Sequence, residues 1–225
     1  MSVEKILSAP ILGALRDVGW ARIACGSHDE NELAANTLEL AEQLGTPVQG
    51  RVRGLVEPLR PRSSECAPMA SLSRTYGLNS FPFHIDTAHW TVPARYLILS
   101  CADPGEFAAR TLLVCKDVVP ISVEERTILK SALFFVRNGR KSFYSTILGL
   151  NRDFIRFDPG CMEPLSLEAV QALELFSPRR IRQFAQLIDW ESGDSLVIDN
   201  WRTLHAREAV DGQSSKRLLL RCLVL

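Results

Sequence analysis

Between Phe81 and Val119 the chain shifts into short runs of β-branched and aromatic residues, Thr91-Val92, Tyr96–Ser100 and Thr111–Val114, broken by the turn signal Ala102-Asp103-Pro104-Gly105. Such side chains fit a pleated, half-buried surface, and Pro-Gly punctuation ends each run before a helix can propagate. The same character returns at Ser195–Asn200 and Arg217–Leu225, so strands far apart in the chain must pair across long connections.

Helical spacing is confined to the remaining segments. Residues 13–25 predict a helix end followed by a strand. Ser27 or Asp29 then caps a helix to about Leu44, with Leu33, Leu40, Ala41 and Leu44 on one face and Gly45 as the stop. Glu124–Val136 and Ser166–Phe176 predict two more helices, the second introduced by Pro164 and Ser166 and carrying Leu167, Val170, Leu173 and Leu175. Residues 48–75, rich in Arg and Pro, predict an irregular, mostly exposed connection broken at Pro58, Pro61 and Pro68. With no internal repeat, low-complexity tract or linker, one domain over residues 1–225 is expected. The expected fold is α+β, a double-stranded β-helix (jelly-roll) core with flanking helices.

Lys plus Arg and Asp plus Glu are 26 each, so no global field draws the chain to nucleic acid or to an anionic membrane, and a small-molecule partner is expected instead. Glu4 and Lys5 interrupt Met1–Leu12, and no later apolar run approaches spanning length, which predicts a soluble, cytoplasmic protein. Cys25, Cys66, Cys101, Cys115, Cys161 and Cys222 are scattered without C-x-x-C spacing and read as buried free thiols.

His84 and Asp86 stand two apart in Phe81-Pro82-Phe83-His84-Ile85-Asp86, where strand alternation puts both side chains on one face. Imidazole and carboxylate without thiolate suit Fe(II), and one further ligand would complete a facial triad with open positions. Of the other histidines, His28 reads as a solvated residue in a capping segment and His89 as a structural neighbour of the site, whereas His205 ends a β run from which it can reach His84 and Asp86. Arg217 and Arg221, four apart in an otherwise apolar strand, share a face, and a guanidinium turned into a protein interior needs an anionic partner. A dicarboxylate supplies one, in the planar geometry that arginine matches.

Phe81-Pro-Phe-His84-Ile-Asp86-Thr-Ala-His, Asp199-Asn-Trp-Arg-Thr-Leu-His205-Ala-Arg and the Arg217/Arg221 strand resemble the taurine dioxygenase and clavaminate synthase-like group of iron(II)/2-oxoglutarate oxygenases. Gly19-Trp20-Ala-Arg-Ile, Glu42-Gln-Leu-Gly45-Thr-Pro47 and Ser71-Leu-Ser73-Arg-Thr-Tyr76-Gly77 extend the likeness in order along the chain. The resemblance implies that His84, Asp86 and His205 bind iron and that Arg217, with Thr111, holds the distal carboxylate of 2-oxoglutarate. It implies that Arg221 faces co-substrate or substrate. Asn79, Ser80 and Arg156 are candidate substrate contacts, Arg156 having the alternative of pairing with Asp158 in its loop; Tyr76, Trp90 and Trp201 pack around the site.

The implied reaction consumes O2 and 2-oxoglutarate, releases succinate and CO2, and hydroxylates an unactivated carbon of a small or carrier-bound polar metabolite. Halogenating members of the group have a small residue in place of the carboxylate, so Asp86 favours hydroxylation, with desaturation or ring formation as other outcomes. A cupin-like metal enzyme that does not use 2-oxoglutarate, or a non-catalytic binding protein on the same fold, is the alternative. The four residues after Arg221 leave little room for a lid, which implies either a large substrate or closure by a second subunit in a homodimer.

Overall fold

Apolar residues run almost without interruption along the longest strands, which are buried on both faces, and this sets the layering of the molecule. The computed structural model describes residues 7–24, 27–69, 71–106, 109–149, 154–210 and 216–225. Helix α1 (Ala9–Val18) leads into strand β1 (Trp20–Ala24), and α2 (Glu30–Leu44) follows, capped by the Asp29 carboxylate, which accepts from the Asn31 and Glu32 N–H groups. Then come β2 (Pro47–Val48), β3 (Val56–Leu59), α3 (Leu72–Tyr76), β4 (Phe81–His84), β5 (Tyr96–Asp103), β6 (Thr111–Cys115), α4 (Val123–Ser131), β7 (Phe134–Val136), β8 (Phe143–Ser145) and β9 (Met162–Pro164). The C-terminal part holds α5 (Leu167–Glu174), α6 (Pro178–Ile181), β10 (Gln186–Ile188), β11 (Asp194–Asp199), β12 (Thr203–Arg207) and β13 (Leu218–Val224).

Two antiparallel sheets carry the site. One runs β1-β11-β5-β13-β2, with β3 also on the edge of β13; the other runs β10-β6-β12-β4. Alternation along β5 sends Leu97, Leu99 and Cys101 toward the second sheet and Ile98 toward α1 and α2. Along β13, Leu219 and Leu223 face inward while Leu218, Leu220 and Cys222 face the helices. The second sheet turns Leu113 inward and packs Leu112, Val114 and Leu204 against α4, α5 and the small sheet β8-β7-β9. Among the described residues no helix is long and apolar enough to cross a membrane.

Several expectations change. The 48–75 segment is not wholly irregular, because Val56-Glu57-Pro58-Leu59 pairs with Leu219–Cys222 of β13, an edge position where a proline is tolerated. Thr91-Val92 forms no strand; it precedes Pro93, and the Thr91 carbonyl accepts from the Arg156 guanidinium at 2.8 Å. The helix expected over 124–136 stops at Ser131, since Phe134-Phe135-Val136 pairs on both sides with β8 and β9. Helix α5 buries Ala169 and Ala172 and leaves Leu167 and Val170 exposed, because small side chains let it lie close to its neighbours. Cys101, Cys115 and Cys222 are buried free thiols, Cys161 is partly covered, Cys66 is exposed because it sits in a short surface turn, and Cys25 lies outside the described residues.

Candidate functional site

Strands β4 and β12 are antiparallel neighbours, and their register sets His84 directly opposite His205. Cross-strand partners bring their Cβ atoms to about 5 Å, and the two imidazole centroids here lie 4.3 Å apart. His205 thus sits within β12, not beyond a strand end. Strand β4 ends at His84, so Asp86 owes its place to tertiary contacts and not to strand alternation. The Asn200 side-chain oxygen accepts from the Asp86 N–H at 2.9 Å, and its amide nitrogen donates to the Asp86 carbonyl at 3.0 Å and the Ala94 carbonyl at 2.9 Å. Thr87, the one described non-glycine residue at positive φ (58°), follows directly, its hydroxyl donating to the Asp86 carbonyl and accepting from the Ala94 N–H at 2.8 Å. Backbone strain of this kind persists where surrounding contacts over-determine it.

Asp86 Oδ1 lies 3.7 Å from Nε2 of both His84 and His205, and one donor atom from each residue falls within 4.8 Å of the others. His84 Nδ1 donates to the Pro82 carbonyl at 2.9 Å, which leaves the Nε2 lone pair aimed at the cluster. Burial and the neighbouring His205 push the His84 imidazole toward its neutral, ligating form. Although burial opposes it, Arg221 and the two imidazoles hold the Asp86 carboxyl well below the usual range. Imidazole nitrogens and a carboxylate oxygen facing one point suit a divalent first-row cation. The three side chains therefore fit iron(II).

Arg221 donates to Asp86 Oδ2 at 3.0 Å and also to the Glu57 carboxylate. It thereby leaves Oδ1 as the oxygen presented to the histidines. Glu57 is 2% exposed, and its other oxygen accepts from the Val52 N–H at 3.2 Å. The 48–75 expectation concealed this residue; its signal was the alternation of Val56-Glu57-Pro58-Leu59, masked by the prolines.

A cavity of about 340 Å³ opens from the triad between the two sheets. Thr111 and Arg217, both buried, line it together with Arg221. The Thr111 hydroxyl accepts from Trp190 Nε1 at 2.9 Å, a contact that sequence spacing gave no means of finding. Burial lowers the Arg217 guanidinium to about 10, which leaves it charged at neutral pH but poorly solvated, so an arriving carboxylate would stabilise that charge. His89 and Trp90 also border the cavity, and burial and Arg51 push the His89 imidazolium down.

Three candidates fall elsewhere. Asn79 and Ser80 are exposed and do not border the cavity. Arg156 is 1% exposed and spends its donors on the Ala88, Trp90 and Thr91 carbonyls and the Ser145 hydroxyl, bracing the loop that follows Asp86. Its partner in the sequence reading, Asp158, does border the cavity. His28 is a surface residue that meets the Ser192 hydroxyl, as expected of a solvated loop. Trp201 packs on Phe154 and donates to the Pro93 carbonyl, and Tyr76 stacks near Phe81.

The distal histidine and both arginines lie within residues 116–223, which match the taurine catabolism dioxygenase TauD, TfdA family. The match spans just under half of the chain. No curated protein matches the sequence. Among solved structures, asparagine oxygenase in complex with Fe(II), hydroxyasparagine and succinate aligns with a TM-score of 0.75 and 18% identity, over 96% of this chain and 78% of that one. The non-haem iron oxygenase OrfP with iron and α-ketoglutaric acid aligns with a TM-score of 0.75 and 17% identity, over 97% and 80%. OrfP with iron, succinate and (3S)-hydroxy-L-arginine gives 0.74 and 15%, over 97% and 81%. At these identities the likeness is one of fold, helices packed on antiparallel sheets.

Proposed function

We propose that the chain is an Fe(II)- and 2-oxoglutarate-dependent dioxygenase that hydroxylates an unactivated carbon of a small polar metabolite. The observation that carries this reading is the convergence of His84, Asp86 and His205 at a cavity that also holds Thr111 and Arg217. Bound iron(II) and 2-oxoglutarate supply the activation of O2, one oxygen atom entering succinate as CO2 leaves and the other entering a C–H bond. The chain's own part is positional. His84 is oriented by the Pro82 carbonyl, and Asp86 is oriented by Asn200 through its backbone and by Arg221 through Oδ2. Arg217 offers a buried fork, and Thr111 a hydroxyl fixed by Trp190, to the distal carboxylate of the co-substrate.

The facing sheets support a double-stranded β-helix as the core and a single domain as the unit. The presence of Asp86 supports hydroxylation. Because the similar oxygenases are seen with hydroxylated asparagine and arginine, amino acids and their conjugates are the first compounds to screen. Anaerobic addition of Fe(II) and then 2-oxoglutarate should give a visible metal-to-ligand charge-transfer band, which His84→Ala should abolish. No band, with no succinate formed in air, would overturn the reading.

A further inference from the structure

Several arginines of this electrically neutral chain that reach the surface meet an acid: Arg110 and Arg182 meet Glu208, Arg180 meets Glu125, Arg202 meets Asp117, and Arg137 meets Glu163. The mouth of the cavity gathers three that do not. Arg51, Arg60 and Arg62 border it, all three are exposed, and none is ion-paired or hydrogen-bonded to a described residue. They lie on either side of β3, the strand whose Glu57 meets Arg221 deeper in the cavity. At about 3.3 Å per residue, Arg60 stands roughly 10 Å along the extended chain from Glu57.

The charge balance of the cavity points the same way. Six described arginines line it against three carboxylates, Glu57, Asp86 and Asp158. A divalent iron and a dianionic co-substrate cancel one another, so loading the site leaves the excess of positive charge in place. Like charges held around a low-dielectric concavity focus their field on whatever enters it. Two of the lining arginines have assigned work within the protein or with the co-substrate, and Arg207 is stacked on Phe81 and donates to the Gly77 and Asn79 carbonyls. The three at the mouth have none.

We infer that Arg51, Arg60 and Arg62 form a subsite for an anionic group, a phosphate or a carboxylate, at the end of the substrate remote from the carbon that is oxidised. The subsite deepens the oxygenase reading and rests on it for the identity of the cavity. It selects against cationic substrates by repulsion and draws anionic ones in, a preference that salt screens. The reactive end of the substrate lies by the triad, so the molecule must be long enough to reach from there to the mouth.

Calorimetric titration of the protein loaded anaerobically with Fe(II) and 2-oxoglutarate tests this, with γ-glutamylglutamate, glutamine and arginine as probes, and inorganic pyrophosphate added to the metal-free protein. γ-Glutamylglutamate should bind at least about tenfold more tightly than glutamine, as three solvent-facing ion contacts allow, and arginine most weakly. The advantage should shrink in high salt and vanish in R51A/R60A/R62A, whose unfolding midpoint should match the parent because the three side chains are exposed. Pyrophosphate should bind the metal-free parent and not the variant. Equal binding of all three probes, or an anion preference that survives in the variant, overturns the inference. The charge-transfer band reports separately on the oxygenase reading, so either can fail alone.

Discussion

Replacing Arg221 with methionine keeps the apolar stem of the side chain and deletes the guanidinium that joins Asp86 to Glu57. At the 3.0 Å separation from Asp86, an effective dielectric of about 20 gives roughly 5 kcal/mol of attraction before desolvation is counted. Taking one partner from a buried pair leaves the other charge uncompensated, at a net cost of about 3–5 kcal/mol. For a chain of this size that lowers the unfolding midpoint by on the order of 10 °C. The pH dependence gives a second signature. In the parent, the depressed Asp86 carboxyl contributes stability above its unfolded value near 3.9 that is lost as pH falls through the lower native value. In the variant, burial prevails and raises that carboxyl, so its contribution reverses and stability falls as pH rises from about 4 to 7. Urea unfolding of chelator-treated protein across pH 3–7 measures both. A loss under about 1 kcal/mol with a pH profile parallel to the parent would refute the role assigned to Arg221.

Asn200→Ala should destabilise the protein by about 2–3 kcal/mol, since the Asp86 and Ala94 backbone groups lose buried partners, and should weaken Fe(II) binding at least about tenfold; undiminished Fe(II) affinity by anaerobic titration would show that Asp86 is placed by other contacts. Arg217→Ala should raise the dissociation constant for 2-oxoglutarate on the order of 100-fold, as loss of a charged hydrogen-bonding partner implies, while iron binding persists; unchanged co-substrate affinity would move the anchor to Arg221. Trp190→Phe removes the donor to Thr111 and should weaken 2-oxoglutarate binding only a few-fold, with no change in Fe(II) affinity measured alongside.

The site's chemistry was legible because it is written in residue types that have few other reasons to occur together. His84, Asp86 and His205 were recognisable as a group that could hold a metal ion, and Arg217 and Arg221 as inward-facing because period-two alternation fixes which face a strand residue occupies. Capping at Asp29 and the strands β5, β6, β11 and β13 were equally local matters. Where the reading failed, a distant partner had overruled a local signal. Phe134–Val136 continued a helical stretch until β8 and β9 claimed it, and the prolines near Glu57 looked like a loop until the free edge of β13 paired with them.

Sequence alone thus determined which groups are available and which face a residue within a strand takes, though not the place of Asp86 beyond the end of β4, because covalent geometry alternates side chains without regard to the rest of the fold. Only the tertiary structure decided that Arg221 would hold Asp86 against Glu57, that Asn200 would clasp the Asp86 backbone, that Arg156 would brace the loop after Asp86, and that Arg51, Arg60 and Arg62 would stand around one opening. Those outcomes depend on where side chains from loops and strand ends come to rest, and that is set by packing between segments up to 164 residues apart.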